Sequence, residues 1–336
     1  MQKNKYLIIG QGIAGTILSY RFKKAGIPFK IIDSPNLSQS SKIAAGLANP
    51  VVLKRQKWVK DAERFTAQLK DFYLSFEREL SANIYHPLPL YHIFQSNAEV
   101  NDWQQNASKK YLQSYLGSVE NYQLPQVKSP FGFGKVEGIF WIDTHLMISR
   151  WRKELKASEL LIEESFQAEE YQDYQHIYCN GHLMTEHFPL LANVYSKTKG
   201  QVMLIESVEL KENYGLHSSV FTLPLGEHRF KVGATYEHKN LNDETSPEGL
   251  ARLQSDLEKF YSGAYRVLEH YAGVRPNIKD RKPILGKVAP GKYCFNGLGS
   301  RGVLMAPYLS QHFIEYLVHN KELEPSWNID RFTVSE

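Results

Sequence analysis

Three glycines within the eight residues IIGQGIAG set Gly10, Gly12 and Gly15 in GxGxxG order. Each has its own task in a phosphate-binding turn: the first permits the tight bend, the second lets a pyrophosphate approach the backbone, and the third lets a helix pack on its strand. The pyrophosphate then rests on a helix start that includes Ile13 and Ala14, where free N–H groups and the dipole favour an anion. Asp33 stands 18 positions after Gly15. That is near the spacing of about 20 at which a strand-end carboxylate accepts from ribose hydroxyls. An acid there repels a 2′-phosphate, and Ser34 follows it at the same strand end. The pattern reads as a dinucleotide site and does not by itself separate FAD from NAD.

The flanking residues supply what such a turn needs. Residues 6–9 are apolar and β-prone, residues 16–25 carry Ile17, Leu18 and Phe22 at helical spacing, Gly26 suits a C-cap, and residues 29–32 form a second strand. Together they make a βαβ unit. A Ser/Gly/Asn/Pro-rich connection covers 34–55. Phe65, Leu69, Phe72 and Phe76 predict one long amphipathic helix over 58–82, and 98–116 reads as a second helix. Strands are expected at 87–94, 139–142, 176–179, 202–205, 220–225, 230–235 and 293–295. Helices are expected at 146–155, capped by Asp143 or Thr144, and from Ser246–Pro247 to about 261. A second glycine-rich turn and an amphipathic helix end the chain.

In chain order, several segments resemble one family. SSKIAAGLANP (residues 40–50) is similar to the loop that runs past the flavin ribityl chain in FAD-dependent oxidoreductases of the D-amino-acid-oxidase type, of the glycine- and sarcosine-oxidase kind. IYCNG resembles the adenosine-side element, with Asn180 where a small residue is usual. KGQVMLIE, GATYE and AGVRPNIKDRKPILG resemble later blocks, and GLGSRGVLMAP resembles the C-terminal flavin loop. Ser300-Arg301 is close to the version in the oxidase domain of the bifunctional tRNA methylaminomethyl-thiouridine enzymes, where Gly-Ser-Arg-Gly recurs. The resemblance implies an α/β fold: a Rossmann-like FAD-binding domain with an inserted antiparallel-sheet substrate domain. The division would be 1–57, 138–198 and 266–336 against 58–137 and 199–265. It also implies FAD contacts from Ser41, Lys42, Ala45, Gly46, Leu47, Gly181, Gly299, Ser300, Arg301, Gly302 and Val303.

Arg275 lies in the block that resembles the family's carboxylate-binding arginine, and a planar guanidinium can clamp a carboxylate with two parallel hydrogen bonds. Tyr236 is expected to face the same pocket. The implied chemistry is oxidation of an amine C–N bond by hydride transfer to flavin N5, with the reduced flavin reoxidised by oxygen or another acceptor. The substrate would be a small amino acid or N-substituted glycine. Two alternatives stand beside it: carboxymethylaminomethyl-uridine on tRNA, and a flavin-binding protein without catalysis. Lys54, Arg55 and Lys57 match no substrate class.

The chain has 336 residues, 42% hydrophobic and 23% charged, with a net charge of +4. That suits a globular protein of two interleaved domains. Two cysteines, Cys179 and Cys294, offer neither a disulfide framework nor a CxxC pair. No HxH or HExxH spacing marks a metal site. No apolar run of about 18 residues marks a membrane span, and a cytoplasmic protein is expected.

Overall fold

The computed structural model describes residues 5–34 and 40–332. Positions 35–39 of the 34–55 connection lie outside the described residues. A six-stranded sheet has the order Leu161–Ile162, Phe29–Ile32, Tyr6–Ile9, Gln175–Tyr178, Lys292–Asn296, Ile284–Ala289. Its pairs are parallel except the last. Both faces are covered, which is why its central strands read as unbroken apolar runs. Tyr6, Ile8 and Ile31 face a core built with the helices, while Leu7, Ile9 and Ile32 face a second core with Tyr178 and Met184. In the first core Tyr20 stacks on Phe76 with centroids 4.1 Å apart. The buried Trp151 indole donates to Ser19 Oγ at 2.8 Å, so its one polar atom is satisfied.

An eight-stranded sheet has the order Arg266–Arg275, Thr198–Glu206, Arg229–Gly233, Phe221–Gly226, Gly215–His217, Leu90–Ile93, Phe133–Val136, Leu116–Glu120. The Pro247–Glu258 helix covers it, opening on Ser246, whose hydroxyl accepts from Gly249 N. A three-stranded sheet joins Leu47–Ala48, Phe140–Ile142 and Tyr85–Pro87. Asp143 caps the Thr144–Ala157 helix by accepting from Leu146 N at 2.9 Å.

Two local expectations need correcting. The single helix over 58–82 is two helices, Ala62–Thr66 and Leu69–Leu80. Trp58 instead pairs with Val51 in a small hairpin, closed by Gln56 in a left-handed conformation. The 98–116 helix ends at Ala107, and Leu116 opens a strand. Residues 266–275 form a strand paired along its length with Thr198–Glu206, so the expected division at 266 falls before a strand of the larger sheet. We therefore propose a division after Arg275.

A buried polar cluster sits in that larger sheet. His92 Nε2 meets Glu99 Oε1 at 2.9 Å, and His92 Nδ1 meets His217 Nδ1 at 2.9 Å. A carboxylate only accepts, so His92 Nε2 carries a proton and donates to Glu99. Burial pushes the His217 imidazole down to about 3, with His92 adding to the effect. The hydrogen bond from His92 holds the Glu99 carboxyl below its ordinary value.

For His217, the unfolded chain takes up a proton near pH 6.5 while the folded chain resists it until about 3. This contribution is complete above 6.5 and is lost as the pH falls through that window; Glu99 adds its own loss below 4.5. Each proton taken up on unfolding costs up to about 1.4 kcal/mol of stability per pH unit. Urea midpoints measured from about pH 7.5 down to about pH 4.5 are expected to fall, and His217→Asn to flatten the decline. An equal slope in wild type and variant would exclude this origin.

Candidate active site

The glycine turn is built from backbone contacts too close for any side chain. A Cβ on Gly15 would overlap the Gly10 carbonyl oxygen, and one on Gly10, which sits at φ +96°, would stand 2.8 Å from Asn180 Cα. The Gly10 N–H donates to Ile32 O at 2.8 Å, tying the turn to the second strand. The Ile13–Lys24 helix begins with Gly12 as N-cap, has no side-chain cap bond and no acid in its first turn. Its leading N–H groups are thus mostly left for an external anion. Ser41 Oγ accepts from Ile13 N at 3.0 Å, bringing the 40–47 loop to the helix start. Ala14 is buried behind the turn.

Asp33 is shared. One carboxylate oxygen accepts from Gln11 N at 2.9 Å, the other from Arg152 at 2.8 Å. Arg152 also donates to Gln11 Oε1 and to Glu163. Sequence reading missed Arg152 and Gln11, and the spacing of 119 residues between Arg152 and Asp33 gives no local signal. Ser34 follows, half-buried.

In the 40–47 loop, Gly46 has φ +70° and lies against Ile142, with no room for a Cβ; its carbonyl accepts from Ile142 N at 2.9 Å. Ala45 and Leu47 pack with Leu88, Trp141 and Leu223. Lys42 lies in the short Ser40–Ile43 turn and makes no ion pair among the described residues. Beside Gly10, the Asn180 side-chain oxygen is buried with no hydrogen-bond partner among the described residues. Gly181, at φ +59°, holds its carbonyl on Asn296 Nδ2 at 3.1 Å.

The second glycine turn arrives at the same place. Gly299 has φ +56° and lies against Asn277, Ser300 is exposed, and Arg301 is the N-cap of the Gly302–His319 helix. A Cβ on Gly302 would stand 2.7 Å from Ile13 Cγ2, so the starts of two helices meet. Val303 is buried, and its carbonyl accepts from the buried Tyr73 hydroxyl at 2.7 Å.

Arg275 ends its strand with the guanidinium across Gly200, where no Cβ would fit. It donates to Thr235 O at 3.3 Å and lies 4.4 Å from the Tyr236 ring centroid. Burial pushes the guanidinium below its ordinary value, with Tyr236 opposing. No carboxylate pairs with it among the described residues. Glu237, nearby in sequence, is held instead by Gln201 at 2.7 Å and Thr235 at 3.0 Å. Tyr236 is 57% exposed. Burial also lowers Arg301, opposed by Tyr236 and reinforced by the Arg281 charge. It too has no ion-pair partner among the described residues.

Lys231 was not anticipated. Its ammonium is buried, donates to Ala44 O at 2.9 Å in the loop before Gly46, and is lowered by desolvation with Asp143 opposing. Its signal in sequence was a lone lysine between Phe230 and Val232 in an otherwise apolar strand. His86 stacks on Trp141 at 4.2 Å, and burial lowers it, as it lowers His182 and His187. Cys179 and Cys294 are buried, with their thiols pushed up by desolvation. Among the described residues no group of three His, Cys, Asp or Glu side chains could hold a metal, and no helix is long and apolar enough to cross a membrane.

The chain is 23% identical over 375 residues to the tRNA 5-methylaminomethyl-2-thiouridine biosynthesis bifunctional protein MnmC of Leptospira interrogans, covering 90% of this chain and 56% of that one. It is 29% identical over 146 residues to the protein of the same description from Nitrosospira multiformis, covering 39% of this chain and 24% of that one. The chain thus spans about half the length of the first relative. In fold it is similar to iminodiacetate oxidase from Chelativorans sp. BNC1, with a TM-score of 0.80 at 18% identity, covering 96% of this chain and 98% of that one. It is likewise similar to glycine oxidase from Geobacillus kaustophilus, with a TM-score of 0.75 at 15% identity, covering 99% of both. The FAD-dependent oxidoreductase (DAO) family matches residues 5–316, and the chain belongs to that family: it is an FAD-dependent oxidoreductase.

Proposed function

We propose that this chain oxidises the C–N bond of an amine that carries a carboxylate, an amino acid or an N-substituted glycine. The observation that carries this reading is Arg275, a largely desolvated guanidinium with no ion-pair partner among the described residues. A buried, unpaired charge is costly, and a substrate carboxylate would offset that cost through two charge-assisted hydrogen bonds. The iminodiacetate and glycine oxidases of similar fold favour the same substrate class.

The residues fit FAD. Two uncapped helix starts converge, the glycine turn leaves no side chain in the way, and the unpartnered Asn180 oxygen offers a polar contact. The turn from Gly10 to Gly15 and Asp33 would hold the adenosine diphosphate half; Ser41, Gly46 and the Gly299–Val303 turn would hold the flavin half. FAD, when bound, supplies the hydride acceptor for C–N oxidation. Arg275 orients the α-carbon by its grip on the carboxylate. Arg275 and Arg301, with no acid paired to either, disfavour an ammonium close by and so keep the amine neutral, with its lone pair free.

A second reading puts the same N-substituted glycine on a tRNA uridine. The match with the tRNA-modifying protein of Leptospira interrogans over 90% of this chain favours it, and Arg275 would serve that carboxylate equally.

Gly12→Val is expected to fold, because its Cβ meets only the movable Ser41 hydroxyl at 3.0 Å, yet to purify with little FAD. The absorbance ratio of flavin to protein reads this directly, and full flavin occupancy would refute the placement of the pyrophosphate. Arg275→Gln is expected to keep its FAD but to lose roughly hundredfold to thousandfold in kcat/KM for a carboxylated amine. That corresponds to the 2–5 kcal/mol cost of breaking a buried charge pair. Anaerobic flavin bleaching by glycine, sarcosine and iminodiacetate makes the test, and an unchanged rate with the variant would rule out Arg275 as the carboxylate clamp.

A further inference from the structure

Some surface cations are tied to carboxylates, Lys23 and Lys24 to Glu79, Lys135 to Glu137, Lys156 to Glu163, Lys259 to Asp256 and Lys321 to Glu315, while others make no ion pair among the described residues. One cleft gathers three of the second kind. Its walls carry Arg55, Lys57 and Lys109, with two rings, Trp58 and Tyr111, and no carboxylate. None of the three cations makes an ion pair among the described residues. Lys54, Lys60 and Lys110 are exposed beside them in sequence.

The cleft is built rather than incidental. The Val51–Val52 and Lys57–Trp58 strands pair, and the left-handed Gln56 closes the hairpin between them. The Gln56 side chain is buried and donates to Glu99 O, while its oxygen accepts from Asn106 Nδ2. These bonds fix the hairpin on the end of the Asn97–Ala107 helix. Trp58 is anchored against Tyr115, with centroids 5.0 Å apart, and Tyr111 lies edge-on to it at 6.3 Å. Tyr111 is 53% exposed, a large ring held out to solvent among cations.

Cations without acids select a polyanion, and an exposed ring among them selects a partner with flat faces to stack. Single-stranded nucleic acid has both, with a phosphate for each base. We propose that this cleft binds a single-stranded segment of RNA, with Arg55, Lys57 and Lys109 on the phosphates and Tyr111 under a base. The choice of RNA over DNA rests on the second reading above; the cleft itself rests on its own residues.

The test uses the FAD-loaded full chain and a fluorescent single-stranded RNA of about twelve nucleotides, a length within known single-strand site sizes. Anisotropy is followed across a salt series, beside DNA of the same sequence. The proposal expects RNA to bind more tightly than DNA. The triple variant Arg55→Ala/Lys57→Ala/Lys109→Ala is expected to reduce the log–log salt slope by about 2, from three lost phosphate contacts at roughly 0.7 each. Tyr111→Ala is expected to weaken binding at least about fivefold, the low end for one stacked base. Absence of RNA binding, binding unchanged in the triple variant, or equal binding of DNA would each overturn it. Anaerobic bleaching by small amines on the same preparations reports the amine reading separately: bleaching without RNA binding sinks the cleft alone, and RNA binding without bleaching sinks the small-amine substrate alone.

Discussion

The arrangement depends on one backbone contact, the approach of Gly15 to the Gly10 carbonyl, which leaves no space for a Cβ. That contact lets the first helix lie down on the first strand, so its free N–H groups open at the strand's end. The same economy recurs twice around it. Gly10 itself passes against Asn180, and Gly302 brings a second helix start against Ile13. Two positive helix ends therefore converge on one place, with the Ile13 side chain packed against Gly302 where they meet. A methyl group at any of these positions would move a whole helix rather than one rotamer, because the atoms it meets are backbone or packed β-branched carbon.

Once those helix ends are set, charge decides what the neighbouring space accepts. Arg275 and Arg301 are partly buried, both are lowered by desolvation, and Tyr236 faces both electrostatically. The potential acid partner, Glu237, is diverted to Gln201 and Thr235. This is the opposite of Arg152, whose guanidinium is covered by Asp33 and Glu163. The chain thus neutralises Arg152 and leaves Arg275 and Arg301 without an ion-pair partner among the described residues. Positive charge left without an acid costs stability, and the carboxylate contact proposed for Arg275 would offset that cost.

The parts of this plan that were legible in sequence are those set by short-range rules. The glycine spacing, the strand-end Asp33, the Ser246–Pro247 helix start and the Asp143 cap all express constraints within a few residues. The unforeseen parts depend on distance. Arg152 reaches Asp33 across the fold, and Lys231 is catalogued by its strand only as one polar residue among apolar ones. The 266–275 strand lacked a clean alternation because it is an edge strand, exposed at one end and buried at the other. The false long helix over 58–82 had correct helical spacing in its second half. Its first half was broken by the strand at Trp58, by Asp61 in a left-handed conformation and by the non-helical Gln68 between two helices.

The same hairpin links the two kinds of bare cation. Leu47 follows Gly46 in the loop that packs on Ile142, and four residues later Val51 begins the hairpin that carries Arg55, Lys57 and Trp58. Leu47 and Trp58 share one apolar cluster with Val51 and Leu53, so the loop and the cleft are one packed unit rather than separate features on a flexible tether. A shift in the hairpin would be felt at Gly46, where the backbone has no slack against Ile142. The cleft and the Gly46 loop thus rest on one apolar cluster, so a substitution in that cluster is positioned to disturb both.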